Sequence, residues 1–127
     1  MSAAHILIVD DDVSVSTAVR RMLRSCDAEI AVENDSRLAV SRIRETPYDV
    51  VVCDVAMPAI DGWAVLRFIR DHYRGRTDAP DVIVTSGDDA ATLPAGAVCA
   101  AILAKPFHAA EIRALVGQLI ADRRARR

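Results

Sequence analysis

The chain alternates between short apolar runs and stretches whose apolar residues recur every three or four positions. Residues 6–9 (ILIV) form a continuous run of strand length that stops abruptly at Asp10, Asp11 and Asp12. Val15, Ala18, Val19, Met22 and Cys26 then fall at helical spacing, with Asp12 or Ser14 available as the cap. Residues 29–32 read as a second strand, and Asp35 or Ser36 as the next cap. Leu38, Ala39, Val40 and Ile43 make a helical stripe as far as Glu45. Thr46-Pro47 breaks it, because the residue before proline avoids helical backbone. Residues 50–53 (VVVC) are the third apolar run. It shows no polar alternation, so both faces of this strand must be covered.

Asp54 follows at once, then Met57-Pro58 and Asp61-Gly62. A helix starting near Gly62 or Trp63 would bury Trp63, Leu66, Ile69 and Tyr73 and fade at Gly75. Residues 82–85 give a fourth strand, followed by a turn at Ser86-Gly87-Asp88-Asp89. The next stretch contains Pro94 and Gly96, which predict a short or irregular helix. Ala101–Ala104 is the fifth strand, and Lys105-Pro106-Phe107 follows it. Ile112, Leu115, Val116, Leu119 and Ile120 form one face of a last helix. The chain ends in ADRRARR, where cations suit a solvated helix end.

Strand runs alternating with helical patterns predict a parallel sheet covered on both faces. Right-handed crossovers then bring the carboxyl ends of the strands to one edge. The residues just past those ends are Asp10, Asp11, Asp54, Ser86 and Lys105. Carboxylates gathered this closely repel unless a cation sits among them. A hard oxygen site with few protein ligands and room for water suits Mg²⁺. One carboxylate could then attack phosphorus to form an aspartyl phosphate. The lysine is a point charge for a phosphoryl oxygen, and the serine hydroxyl can donate to another.

Composition narrows this further. A chain of 127 residues with 52% hydrophobic content is one domain with a core of its own. The net charge of -2 argues against nucleic acid as the partner of this domain. Cys26, Cys53 and Cys99 are too dispersed for a disulfide framework or a zinc site. The N-terminus lacks the pattern of a signal peptide, and no window reaches membrane-spanning length. The expectation is a cytoplasmic protein with no membrane partner.

Four motifs carry a resemblance to a known family. ILIVDDD, YDVVVCDVAMPAIDGW, VIVTSG and AKPF stand in the order and spacing of the receiver domain of two-component response regulators. The resemblance covers almost the whole chain. It implies a flavodoxin-like (βα)5 doubly wound sheet with strand order 2-1-3-4-5. It implies Asp54 as phosphoacceptor, Asp11 as a direct Mg²⁺ ligand, and Asp10 acting mostly through water. Ala56 would lend its backbone carbonyl to the metal. Ser86 and Lys105 would contact the phosphoryl group. Thr85 is the lesser candidate, because Gly87 matches the small residue expected after the hydroxyl. A cis Lys105-Pro106 peptide is expected.

Two departures stand out. Ile102 occupies a switch position that is usually aromatic, and an isoleucine cannot repeat a ring swing. The segment between Ser86 and Lys105 is about three residues short by the same pattern matching. Asp88 flanks the phosphoryl position. The implied partners are a histidine kinase or phosphotransfer protein and an output target. That target would bind on the face formed by the helix before the fifth strand, the strand itself and the last helix. The expected division is a receiver domain over residues 1–122 and a basic tail over 123–127. Two other functions fit the same residues: a receiver-fold interaction module whose output does not depend on phosphorylation, and an aspartate-nucleophile phosphatase. The phosphatase wants a second acid two residues after the nucleophile, where this chain has Ala56.

Overall fold

The computed structural model describes residues 3–55, 62–87 and 99–126. Its elements, in order, are β1 (Ala4–Val9), α1 (Val13–Met22), β2 (Ala28–Glu33), α2 (Ser36–Glu45), β3 (Val50–Asp54), α3 (Gly62–His72), β4 (Asp81–Ser86), β5 (Ala101–Ala104) and α4 (Ala109–Ala125). The strands form one parallel sheet in the order β2-β1-β3-β4-β5. This is the doubly wound flavodoxin-like arrangement, in which successive crossovers place helices on both faces. The expected short helix between β4 and β5 falls on residues 88–98, outside the described residues.

Alternation along the strands sends side chains to two cores. Leu7, Val9, Val51, Cys53, Val82 and Val84 face one core, with Ala39 and Ile43 of α2 and Val65, Leu66 and Ile69 of α3. Ile6, Ile8, Val50, Val52 and Ile83 face the other, with Val19 of α1 and Ile112, Val116 and Ile120 of α4. Every residue of β3 is buried, as its unbroken apolar run requires. Full burial of each such aliphatic side chain contributes roughly 1.5–3 kcal/mol.

Both caps among the first two helices are aspartates. Asp12 accepts from the amides of Ser14 and Val15, and Asp35 from that of Arg37. Several expectations need correction. Leu38 is 53% exposed, because it lies about 100° round α2 from Ala39. Trp63 is only partly buried, and Val65 takes the inward place. Ser86 ends β4 instead of opening a turn: it pairs with Ala104, and its carbonyl accepts from the Lys105 amide at 2.7 Å. α4 runs to Ala125 and so includes Arg123 and Arg124 of the expected tail.

Arg123 is not solvated. Its guanidinium donates to the Ala79 carbonyl at 2.9 Å and pairs with Asp49 at 3.3 Å and Asp81 at 3.4 Å. Asp49 in turn accepts from the His5 amide at 2.8 Å. No helix among the described residues is long and apolar enough to cross a membrane.

Candidate functional site

The site lies at the carboxyl edge of the sheet and follows from strand alternation. Asp10 extends β1 by one ladder position, its amide donating to the Glu33 carbonyl at 3.2 Å. Lys105 extends β5 in the same way beyond Ala104. By parity, Asp10 continues the face of Ile6 and Ile8, Asp54 that of Val50 and Val52, and Lys105 that of Leu103. These are one face of the sheet, the one covered by α1 and α4. The three side chains therefore meet, although 95 residues separate Asp10 from Lys105.

The ammonium of Lys105 donates to Asp54 Oδ2 at 2.7 Å and to Asp10 Oδ2 at 3.2 Å. Both carboxylates are buried, Asp54 to 1% and Asp10 to 3% exposure. Asp10 Oδ1 accepts from the Asp12 amide at 2.9 Å, so both of its oxygens are engaged. Burial pushes the Asp10 carboxyl above its ordinary value, and the Asp12 amide and the Lys105 charge only partly offset that push. Burial also works against the Lys105 ammonium. The hydrogen bond to Asp54 and the charges of Asp10 and Asp54 outweigh it, and the pKa stands above the ordinary lysine value.

Asp11 differs from its neighbours. Its Oδ1 is buried and has no hydrogen-bond partner. A carboxylate oxygen turned inward without a donor is costly unless a cation or water meets it. Among the described residues, no group of three or more His, Cys, Asp or Glu side chains is placed to hold a metal ion. The buried Asp11 oxygen is the feature that fits a hard cation such as Mg²⁺, which needs few protein ligands. Ala56, expected to supply a carbonyl, lies outside the described residues, as does Asp88.

On β4 the two hydroxyl residues part company. Thr85 is the register partner of Asp54 and shares its face. Ser86 lies one residue nearer the edge and shares the opposite face with Val84 and Ile102, the partners in the β4–β5 register. Both hydroxyls are buried. Ile102 is 45% exposed on the edge strand. The Lys105-Pro106 peptide is cis.

Three further residues shape the site. Gly62, the first residue of α3, is so close to the strand end that a Cβ there would collide with the Asp54 carbonyl and come within 2.8 Å of Val55 Cα. Cys53 lies beneath, its Sγ 3.7 Å from the Asp54 carbonyl oxygen. Burial, then the charges of Asp54 and Asp10, push its thiol pKa up, so it remains a neutral thiol. Asn34, which the sequence reading passed over, donates from Nδ2 to the Asp10 carbonyl at 2.6 Å and to Ser16 Oγ at 3.0 Å. The one signal for Asn34 was its place just past β2, at the same sheet edge.

The response regulator receiver domain family matches residues 6–117. The transcriptional regulatory protein PrrA of Mycobacterium leprae is 33% identical over 98% of this chain and 53% of its own length. Other curated relatives match more strongly but over a shorter stretch, 51% of this chain and 15% of theirs. The chain thus spans about half, or less, of the length of these relatives. A CheY-like receiver from Methanospirillum hungatei superposes with a TM-score of 0.84 at 18% identity, covering 99% of this chain and 100% of its own. The receiver domain of sensor histidine kinase PA1611 from Pseudomonas aeruginosa, solved with a magnesium ion in its active site cleft, gives 0.79 at 25% identity. That match covers 94% of this chain and 99% of the other. With five parallel strands in the order 2-1-3-4-5 and a family match over nearly its whole length, the chain belongs to the response regulator receiver domain family.

Proposed function

We propose that this chain accepts a phosphoryl group on Asp54 from the phosphohistidine of a histidine kinase or phosphotransfer protein in the cytoplasm. The modification then changes how it binds an output partner. The observation that carries this reading is the shared lysine. Lys105 holds Asp54 at 2.7 Å and Asp10 at 3.2 Å in one buried cluster, beside an Asp11 oxygen that has no donor.

In the reaction, an Asp54 carboxylate oxygen attacks phosphorus. The P–N bond to the donor imidazole breaks, and its electron pair stays on the departing ring nitrogen. Lys105 swings from the carboxylate to a phosphoryl oxygen, a short move for an ammonium already in contact with Asp54. Ser86, the last residue of β4, would donate to another phosphoryl oxygen from the strand tip, although by strand parity it is Thr85 that shares the face of Asp54. Asp11 and Asp54, with the Ala56 carbonyl, would hold Mg²⁺, and Asp10 would act mostly through water. Mg²⁺, when bound, supplies the positive charge that offsets the incoming phosphoryl group. Reversal by water would make the phosphoryl state transient. The output surface would include β5, where Ile102 is half exposed.

The experiment is labelling by a small phosphodonor such as acetyl phosphate, with and without Mg²⁺. Incorporation should need Mg²⁺ and vanish in Asp54→Asn. Labelling that persists in that variant would overturn the assignment.

A further inference from the structure

We propose that Asn34 is a positioning residue for Asp11, holding it in place to bind Mg²⁺ by fixing the peptide plane between Asp10 and Asp11. The inference rests on the metal reading above and adds a residue to it. An amide side chain can present oxygen or nitrogen, but the Asp10 carbonyl is only an acceptor, so the nitrogen must face it. The Nδ2 group uses one hydrogen there, at 2.6 Å, and the other on Ser16 Oγ at 3.0 Å. Ser16 passes its own hydrogen to the Val13 carbonyl at 3.1 Å, so the chain of donors closes on the first turn of α1.

Asp10 is thereby held from both sides by the end of β2. Its amide donates to the Glu33 carbonyl, and its carbonyl accepts from Asn34. The Asp10 carbonyl belongs to the peptide unit that leads into Asp11. Pinning that unit sets the direction in which the Asp11 side chain leaves the backbone, and so where its unpartnered Oδ1 points.

Asn34 is itself anchored. Glu33 Oε2 accepts from the Asn34 amide at 3.1 Å and the Asp35 amide at 3.3 Å. Glu33 Oε1 is held by Arg42 Nε at 2.8 Å. A run of polar contacts therefore leads from α2, through the end of β2, to the acid loop. Residues that orient a metal ligand without touching the ion typically change affinity when removed.

The test uses Asn34→Ala and the near-isosteric Asn34→Leu, which keeps the volume and loses the donor. In the metal-free protein, amide hydrogen exchange at Asp11 and Asp12 should speed up in both variants. Mg²⁺ affinity, followed by NMR shifts at a temperature where urea melts show every protein fully folded, should weaken about tenfold in both. A merely structural role would lower the urea midpoint and leave the affinity alone. Wild-type binding with unchanged affinity in the variants would overturn this inference by itself, as would unchanged exchange. No Mg²⁺ binding by the wild type would instead bring down the metal reading, and the inference with it.

Discussion

Lys105 Nζ lies 2.7 Å from Asp54 Oδ2, so the carboxylate proposed to accept the phosphoryl group is held by the cation proposed to follow that group. The same ammonium is 3.2 Å from Asp10. One positive charge therefore serves two buried carboxylates, and removing it leaves them facing each other. Lys105→Met should lower stability at pH 7 by about 2 kcal/mol, since two buried like charges would lose the cation that faces both. The loss should shrink as pH falls and the Asp10 carboxyl takes up its proton. At the alkaline end the sign also follows from the shift. The lysine pKa is raised in the folded state, so its contribution is complete below the ordinary value of 10.5 and disappears as pH rises through the folded value. Urea melts from pH 4 to pH 11 would trace both limits, and equal stability of the two proteins at pH 7 would contradict the argument.

Asp10 gives a prediction of opposite sign. Its carboxyl is raised above the ordinary 3.8, chiefly by burial. The folded state thus holds the proton more tightly than the unfolded chain. The favourable contribution is complete below the unfolded value and is lost as pH rises through the folded one. At neutral pH the ionised side chain is a burden. Asp10→Asn, whose side-chain oxygen can still accept from the Asp12 amide, should stabilise the metal-free protein at pH 7 by about 1 kcal/mol. That corresponds to a melting temperature higher by roughly 3–5 °C. The advantage should fade as pH falls through the raised folded value and be gone below the unfolded 3.8. A lower melting temperature at pH 7 in metal-free buffer would mean that the contact with Lys105 outweighs burial.

Two glycines should respond in opposite ways to the same substitution. A Cβ on Gly62 would collide with the Asp54 carbonyl and sit 2.7 Å from Val55 Cγ1. Backbone on one side and a buried strand end on the other leave nothing to yield, so Gly62→Ala should cost about 1–3 kcal/mol or more. Gly117 lies on the exposed side of α4 with nothing within 4 Å of its Cβ position. Gly117→Ala should stabilise by about 0.5–1 kcal/mol through backbone entropy. Urea unfolding of both decides it, and equal effects would show that α3 can move away from Asp54 without penalty.

Much of the molecule was legible because it follows from periodicity. The fully buried β3 and the four-residue β5 are apolar runs with few other readings. Once the strands are parallel, the crossover rule gathers Asp10, Asp54 and Lys105 without any knowledge of distances. What stayed hidden depends on contacts between elements. Asn34 looks like any polar residue after a strand until the Asp10 carbonyl is found 2.6 Å away. Trp63 has the spacing of a core residue, yet Val65 on the same helix takes the inward place. Arg123 sits among arginines that composition cannot tell apart.

Those arginines provide the last test. Arg123 and Arg124 are adjacent in the last turn of α4, yet their surroundings differ. Arg123 bridges the loop before β4 and the approach to β3 through Ala79, Asp81 and Asp49, with its side chain only 13% exposed. Among the described residues Arg124 reaches only Asp27, at 4.0 Å, and that carboxylate is 89% exposed. Charge-assisted bonds in a partly buried setting are worth far more than a screened surface pair. Arg123→Ala should therefore cost about 2 kcal/mol, and Arg124→Ala less than about 0.5 kcal/mol. Arg123→Lys should recover only part of the loss, because one ammonium cannot match the directions of a guanidinium fork. If the two alanine variants unfolded at the same urea concentration, the docking of Arg123 would add nothing to stability.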